Sequence, residues 1–182
     1  MRALKNRYFP GGKIVLTWVM VWICLGGIGE KWWGVVLMLL TGTYMRTLDE
    51  KQRMAIPKPL RESLGLPDNT AFYLAPGTDG SLAFYPERAF SQLADQLGSG
   101  SPNGQDVRAF SRLFYAQAQR VDVDRQGRVR IPAELARLAD LGKDIVLIGV
   151  RDHVEIWDRQ QWEQYLSRQQ SRYDEIAESA FE

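Results

Sequence analysis

The sequence predicts an α+β protein that contains one module twice, and three observations support this prediction. The segment DEKQRMAIP at residues 49–57 returns 75 positions later as DRQGRVRIP at residues 124–132. After each copy, the residue patterns predict the same order of short helix, strand, turn, strand and helix. Between the copies, GSGSPNGQ at residues 98–105 has a linker's composition and no hydrophobic periodicity. Two copies of one module can pair about a pseudo-twofold axis.

The chain is therefore expected to have four parts. Residues 1–37 are an apolar extension, residues 38–97 a first domain, residues 98–105 a linker, and residues 106–182 a second domain with a C-terminal helix. The two domains also match in register, because six residues recur at one constant spacing. These are Asp49, Arg53, Ile56, Pro57, Leu60 and Leu66, which match Asp124, Arg128, Ile131, Pro132, Leu135 and Leu141.

Local patterns predict how each domain begins and how the chain ends. Loosely alternating residues flank the turns DEKQ and RQG, so each domain is expected to begin with a hairpin. The Ile-Pro pairs that follow predict a strand end and a helix start at Pro57 and Pro132, since proline suits a first helical turn and not a central strand. One longer helix, with Asp158 as its N-cap, is expected near the C-terminus.

The residue types argue against catalysis. Cysteine and histidine occur once each, as Cys24 and His153, whereas a disulfide needs two cysteines and zinc sites draw on clusters of both types. His153 lies in RDHVEIW, where the pattern predicts an exposed strand residue. Asp122 and Asp124 lie two residues apart on one predicted strand, so their side chains face the same side and could share a proton. No nucleophile or glycine-rich phosphate loop accompanies them. We expect no enzymatic activity, no metal and no cofactor.

The net charge of +1 conceals an uneven distribution. Residues 1–40 hold five lysines and arginines and one acid, Glu30, which leaves residues 41–182 at about −3. A protein that binds nucleic acid by overall charge alone would be basic. If this chain binds DNA, its arginines must lie together on one surface, or several copies in an oligomer must present that surface side by side.

The apolar extension has three possible origins. Residues 14–29 carry no charge and follow basic residues, which is the charge order of a signal peptide or a short anchor. They fall short of the roughly 20 residues that span a bilayer, and Glu30 and Lys31 interrupt the apolar run. We expect a misplaced translation start, with the working protein beginning near Met38. A membrane contact follows only if residues 14–40 are translated.

The repeated motif has both an architectural and a DNA-binding interpretation. An aspartate and an arginine facing each other across a hairpin are worth roughly 0.2–1 kcal/mol as architecture. In both copies, however, the turn holds two or three lysines and arginines. Because these like charges repel, such a turn is a poor structural device. Arginine matches guanine edges and phosphates with paired hydrogen bonds, and a two-stranded ribbon fits the major groove. The predicted DNA-binding residues are Lys51, Arg53, Arg125, Arg128 and Arg130, with Arg46, Lys58 and Arg61 close to the first motif in sequence.

The stretches TGTYMRTLDEKQRMAIPKPLR, VDVDRQGRVRIPAELARLADL and VLIGVRDHVEIWDRQQW resemble the MraZ family, from about Leu39 to Trp162. The resemblance implies two fused AbrB-like (SpoVT-AbrB) domains of the MazE type with swapped hairpins, which form a pseudo-twofold small β-barrel with peripheral helices. It implies a bacterial transcriptional repressor of the division and cell-wall gene cluster, acting at direct repeats upstream of its own gene. It also implies a ring-shaped homo-oligomer in the cytoplasm, on the nucleoid.

The resemblance also assigns residues. The family's motif arginines fall on Arg53 and Arg128, and its motif aspartates on Asp49 and Asp124. A glycine usually precedes the arginine, as Gly127 does in the second copy, whereas the first copy has Gln52. Because a positive φ costs a residue other than glycine about 1 kcal/mol, we expect the first turn to be less tight.

Two other functions stay open at this point. A MazE-like antitoxin would combine the same DNA-binding core with a toxin-binding tail, and the tail YDEIAESAFE is short and poor in apolar residues for that role. A membrane-tethered AbrB-type regulator would depend on residues 14–40. A co-purifying toxin would identify the first of these classes, and membrane fractionation the second.

Overall fold

The computed structural model describes residues 39–66, 71–99 and 104–181. They belong to one compact unit of the chain, Leu37–Glu182. The interpretation of residues 1–37 as a misplaced start, an anchor or a signal peptide concerns a segment outside these ranges. Within the described ranges, no helix combines the length and the apolar character that crossing a membrane requires.

The described residues form eight strands and six helices. The strands are β1 Thr43–Thr47, β2 Arg53–Ala55, β3 Phe72–Pro76, β4 Leu82–Pro86, β5 Gln119–Val121, β6 Arg128–Arg130, β7 Asp144–Val150 and β8 His153–Asp158. The helices are α1 Lys58–Ser63, α2 Glu87–Ser99, α3 Gln105–Gln117, α4 Ala133–Leu138, α5 Arg159–Gln170 and α6 Tyr173–Phe181. Both repeats therefore show the predicted order of two strands, a short helix, two strands and a helix.

The two strands that flank each motif pair with different partners. β1 pairs antiparallel with β7, with Tyr44 opposite Leu147, and β5 pairs with β3, with Gln119 opposite Leu74. β2 and β6 pair with each other instead. The hairpin prediction is therefore correct for the turns and wrong for the strands, which separate and cross to the other repeat. Alternation along a strand determines which face it buries and not which strand lies beside it.

The larger sheet is antiparallel and has the strand order β1-β7-β8-β4-β3-β5, while β2 and β6 form a separate two-stranded ribbon. An isolated bridge between Val123 and Val129 connects the chain after β5 to the ribbon. The α+β class with an antiparallel sheet is confirmed. The described strands do not close into the small β-barrel that was expected, because the edge strands β1 and β5 form no ladder with the ribbon.

One hydrophobic core is shared by both repeats. Phe72 and Phe84 stack with their ring centroids 4.7 Å apart, and both are buried. Leu60 of α1 and Leu135 of α4, which are equivalent positions, lie in the same buried cluster. Because each repeat contributes strands beside those of the other, either repeat alone would expose apolar surface that the pair buries.

The C-terminal segment differs from its prediction in one respect. Asp158 caps α5 as expected, since its carboxylate accepts hydrogen bonds from two backbone N–H groups of the first turn, at 2.9 and 3.4 Å. The predicted single helix is two helices, because the chain turns at residues 171–172, where the N–H of Arg172 donates to the carbonyl of Gln169. No proline or glycine marks this break in the sequence.

His153 is not the exposed strand residue that the pattern predicted. Only 19% of its side chain is exposed. Its ring stacks on Tyr85 of the neighbouring strand β4, with centroids 4.8 Å apart, and its Nδ1 lies 2.8 Å from Asp152 Oδ1. The pattern missed this burial because the covering ring comes from another strand.

Candidate nucleic-acid interface

Each repeated motif forms a tight turn that its aspartate holds together. In the first turn, residues 49–53, Asp49 Oδ1 accepts hydrogen bonds from the backbone N–H groups of Lys51 and Arg53 at 2.8 and 2.9 Å. The N–H of Gln52 donates to the Asp49 carbonyl, and the N–H of Asp49 donates to the Arg53 carbonyl, at 2.9 and 3.0 Å. A short aspartate suits this task because its carboxylate reaches backbone groups two residues further along.

The second turn, residues 124–128, repeats these bonds. Asp124 Oδ1 accepts from the N–H groups of Gln126 and Arg128 at 2.8 and 3.0 Å. The N–H of Gly127 donates to the Asp124 carbonyl, and the N–H of Asp124 donates to the Arg128 carbonyl, both at 2.8 Å. The two motifs thus build one geometry twice.

The expectation that the first turn is less tight is wrong. Gln52 has a φ of +57°, in the left-handed region, and Gly127 at the equivalent position has +74°. The hydrogen bonds that Asp49 accepts on both sides of Gln52 hold this residue in a conformation that glycine would adopt more readily. The first turn is therefore equally tight and carries a local conformational cost.

The motif arginines lie back against the aspartates. Arg53 donates from Nε and Nη2 to Asp49 Oδ2, both at 2.7 Å. Arg128 donates from Nε to Asp124 Oδ2 at 2.8 Å. The arginine side chains are 30% and 29% exposed. The architectural pairing is therefore present in both turns, and it orients two guanidinium groups that solvent still reaches.

Both motif aspartates have a lowered pKa, which favours their ionised form. The pKa of Asp49 is lowered, mainly because the backbone N–H of Arg53 donates to it, and the Arg53 side chain adds to this. For Asp124, desolvation is the largest influence and raises the pKa, but the hydrogen bonds from Arg128 and Gln126 together outweigh it and lower the pKa. Within the described ranges, no group of three histidine, cysteine or acidic residues is placed to hold a metal ion. The site offers donors and positive charge.

The ribbon has a buried face and an arginine-rich outer face. Met54 lies opposite Val129, and both are buried, at 1% and 0% exposure. Because side chains alternate along a strand, the flanking positions of both strands share the other face. These positions, which define the ribbon's outer face, are Arg53, Ala55, Arg128 and Arg130. Three of the five predicted DNA-binding residues therefore come together on one surface.

The other two predicted residues, Lys51 and Arg125, are exposed in the turns that flank the ribbon. They do not occupy equivalent positions, because Arg125 matches Glu50 and Lys51 matches Gln126. The first turn therefore carries an exposed acid, Glu50, next to its lysine, whereas the second turn has no acid besides its motif aspartate.

Two further cations, one from each repeat, lie beside the first turn or the strand that follows it. A groove of about 780 Å³ lies beside this turn and is lined by residues 47–53 and 141–143, including Lys143. Arg46 on β1 reaches β2, where its Nε donates to the Ala55 carbonyl at 3.3 Å. The sequence had no signal for Lys143, because the loop that carries it is brought here only by strand exchange between the repeats.

Pro57 and Pro132 stand at the N-caps of α1 and α4, with φ of −56° and −58°. The isoleucines before them, Ile56 and Ile131, are buried, at 5% and 0% exposure. Their N–H groups donate at 2.9 and 2.8 Å to carbonyl groups in the turn of the opposite repeat. Each short helix therefore starts from the other repeat's turn.

The chain is similar to known proteins over the whole described region. A family profile described as "MraZ protein", antitoxin-like, matches residues 39–113 and 114–182. A protein named "Transcriptional regulator MraZ" from Acetivibrio thermocellus is 41% identical over 137 residues, which are 75% of this chain and 93% of that one. Proteins of the same name from Heliobacterium modesticaldum and Finegoldia magna are 39% and 37% identical, over 77% and 74% of this chain and 95% and 92% of theirs.

The profile covers the two repeats as two consecutive matches, in agreement with the duplicated turns, and the relatives are covered almost end to end. The chain belongs to the MraZ family.

Proposed function

We propose that this protein is a transcriptional regulator that binds double-stranded DNA in a sequence-specific manner. The observation that carries the proposal is the ribbon's outer face, where Arg53, Arg128 and Arg130 lie together between two turns that expose Lys51 and Arg125. The relatives are named as transcriptional regulators, which agrees with this proposal.

The geometry supports a division of labour on DNA. A two-stranded ribbon is narrow enough to enter the major groove, where guanine offers two acceptors to one guanidinium group. Asp49 and Asp124 hold Arg53 and Arg128 in place before binding, so less side-chain entropy is lost when they meet base edges. The exposed cations Lys51 and Arg125 lie at the turns, where contacts to phosphate would fix the register of the ribbon.

We propose further that protomers assemble into a ring and that the DNA carries direct repeats. Residues 41–182 have a charge of about −3, so one copy attracts DNA weakly, whereas several copies that present the same ribbon would bind through effective concentration. Adjacent copies in a ring share one orientation along the DNA, which suits direct repeats. Light scattering of the purified protein should give a closed oligomer, and a monomer at micromolar concentration would contradict the ring.

In more detail, the proposed regulator would repress the division and cell-wall gene cluster by binding upstream of its own gene. It would act in the cytoplasm, on the nucleoid. Its core would be of the AbrB type with swapped hairpins. The exchange of β2 and β6 between the repeats supports that assignment, because each repeat supplies one strand of the ribbon.

Fluorescence anisotropy tests the proposed function. A labelled duplex from the region upstream of the gene is compared with a duplex of the same composition in scrambled order, at one salt concentration. Specific binding should be about 10³-fold tighter or more. Equal affinity for both duplexes would contradict sequence-specific regulation. A toxin that co-purifies from the native host, without preference for the upstream duplex, would favour the antitoxin function instead.

A further inference from the structure

We propose that Arg61 is a DNA-contacting residue of the second turn. Arg61 follows the first motif in sequence, but its side chain lies against the turn of the second motif. A Cβ placed on Gly127 would stand 2.7 Å from Arg61 Cδ and 2.7 Å from Nη1. The inference rests on the proposed function and adds a residue to it.

The backbone explains how Arg61 reaches the opposite repeat. The N–H of Ile56 donates to the carbonyl of Gly127 at 2.9 Å, so the chain enters α1 directly from the second turn. One helical turn later, the N–H of Arg61 donates to the carbonyl of Pro57 at 2.9 Å. Residues one turn apart share a face of a helix, and this geometry returns the Arg61 side chain to the turn from which the helix starts.

Among the described residues, no carboxylate holds Arg61 as Asp49 and Asp124 hold the motif arginines. The Nε of Arg61 is buried and has no hydrogen-bond partner in the described part of the chain, which is a costly state for a charged donor. The carboxylate of the second turn, Asp124, is bound to Arg128 and to backbone N–H groups of its own turn. The side chain as a whole is partly exposed. Nε itself is out of an arriving anion's reach, but the exposed part of the side chain could meet an anion at the second turn.

The first turn lacks this arrangement. Arg61 and Ala136 are equivalent positions, since each follows its Ile-Pro pair by the same spacing, and Ala136 is buried and carries no charge. The difference between Arg61 and Ala136 agrees with the residues of the two turns. Gly127 has no side chain and leaves room for Arg61, whereas Gln52 fills the equivalent position of the first turn with a side chain. Because Glu50 adds an acid, residues 49–53 of the first turn carry less positive charge than residues 124–128 of the second.

A salt titration tests the role of Arg61. The full-length protein is titrated onto a labelled duplex of mixed sequence, and the logarithm of the binding constant is followed against the logarithm of salt concentration. The loss of one phosphate contact should reduce the slope by about one unit. Arg61→Ala and Arg61→Gln should both show that loss, and Arg61→Lys should restore most of the slope because it keeps the charge. Arg168→Ala, an exposed arginine on α5, is the matched control and should leave the slope unchanged.

The outcomes separate the inference from the function on which it rests. If the wild-type protein binds no duplex, the proposed function and the inference both fail. If it binds, and Arg61→Gln keeps the wild-type slope, only the inference fails. If all three Arg61 variants lose affinity alike, with lowered unfolding midpoints and an unchanged slope, Arg61 supports the turn without touching DNA, and the inference is again overturned.

Discussion

Arg53 lies directly opposite Arg130 across the β2–β6 ribbon, although the sequence places them in different repeats. Like charges at directly opposed positions destabilise a ladder. Asp49 compensates Arg53 with two contacts at 2.7 Å, whereas Arg130 forms no ion pair among the described residues. The position equivalent to Arg130 is Ala55. A cation at this place is therefore a structural cost that a DNA-binding role would explain.

Arg130→Ala should weaken DNA binding without weakening the fold. The change copies the Ala55 of the other repeat and removes the repulsion with Arg53, so the free energy of unfolding should stay the same or rise by a few tenths of a kcal/mol. Binding to the upstream duplex should weaken by roughly 1–3 kcal/mol if Arg130 contacts a base. Urea unfolding and anisotropy measure the two effects. A less stable variant with unchanged affinity would assign Arg130 to architecture.

Gln52→Gly should stabilise the protein, because the first turn holds a residue other than glycine at a φ of +57°. Glycine adopts this region without the Cβ penalty, so we expect a gain of about 1 kcal/mol, reduced by the greater freedom of glycine in the unfolded chain. Lys51→Gly is the matched control in the same turn and should destabilise. Thermal unfolding compares them, and equal effects of the two glycines would show that the turn is not strained at Gln52.

Acid should loosen both turns together. The pKa values of Asp49 and Asp124 are lowered in the folded protein, so their contribution to stability is present above the unfolded value of about 3.9 and is lost as the pH falls through the folded values. Asn substituted at both positions keeps an acceptor oxygen but removes the titration. In urea unfolding at a series of pH values, the free energy of unfolding of the double variant should fall less steeply toward acid pH than that of the wild type. An equally steep fall would assign the acid sensitivity to other carboxylates.

Stability should also fall as the pH rises above the ordinary histidine pKa of about 6.5 and through the raised pKa of His153. Burial is the largest influence on its pKa and lowers it, but the contacts with Glu155 and Asp152 outweigh burial and raise it. Because the pKa of His153 is raised in the folded protein, its contribution to stability is complete below the unfolded pKa of about 6.5. The contribution is lost as the pH rises through the folded pKa. Arg151, Tyr85 and Asp95 line the same groove as His153 and are further titratable groups close to it. His153→Gln should remove this slope, and its persistence would exclude His153 as the cause.

The sequence predicted what is local and repeated, and missed what depends on the exchange between repeats. Asp49 and Asp124 stand in matched turns because residue type and spacing determine a tight turn. The pairing of β2 with β6 was not predictable, since the side-chain pattern is the same whichever strand lies alongside. Arg61 was assigned to its own repeat for the same reason. The burial of His153 depends on Tyr85 from another strand, which no local pattern contains.

Footprinting on the DNA upstream of the protein's own gene tests the central proposal most directly, namely that the ribbon and its flanking turns bind specific DNA. The wild-type protein is compared with a double variant, Arg125→Ala with Arg130→Ala, which alters exposed residues only. The account predicts regularly spaced protection of directly repeated sequence by the wild-type protein and its loss in the double variant at an unchanged folded fraction. Absence of protection by the wild-type protein, or equal protection by the folded double variant, would contradict it.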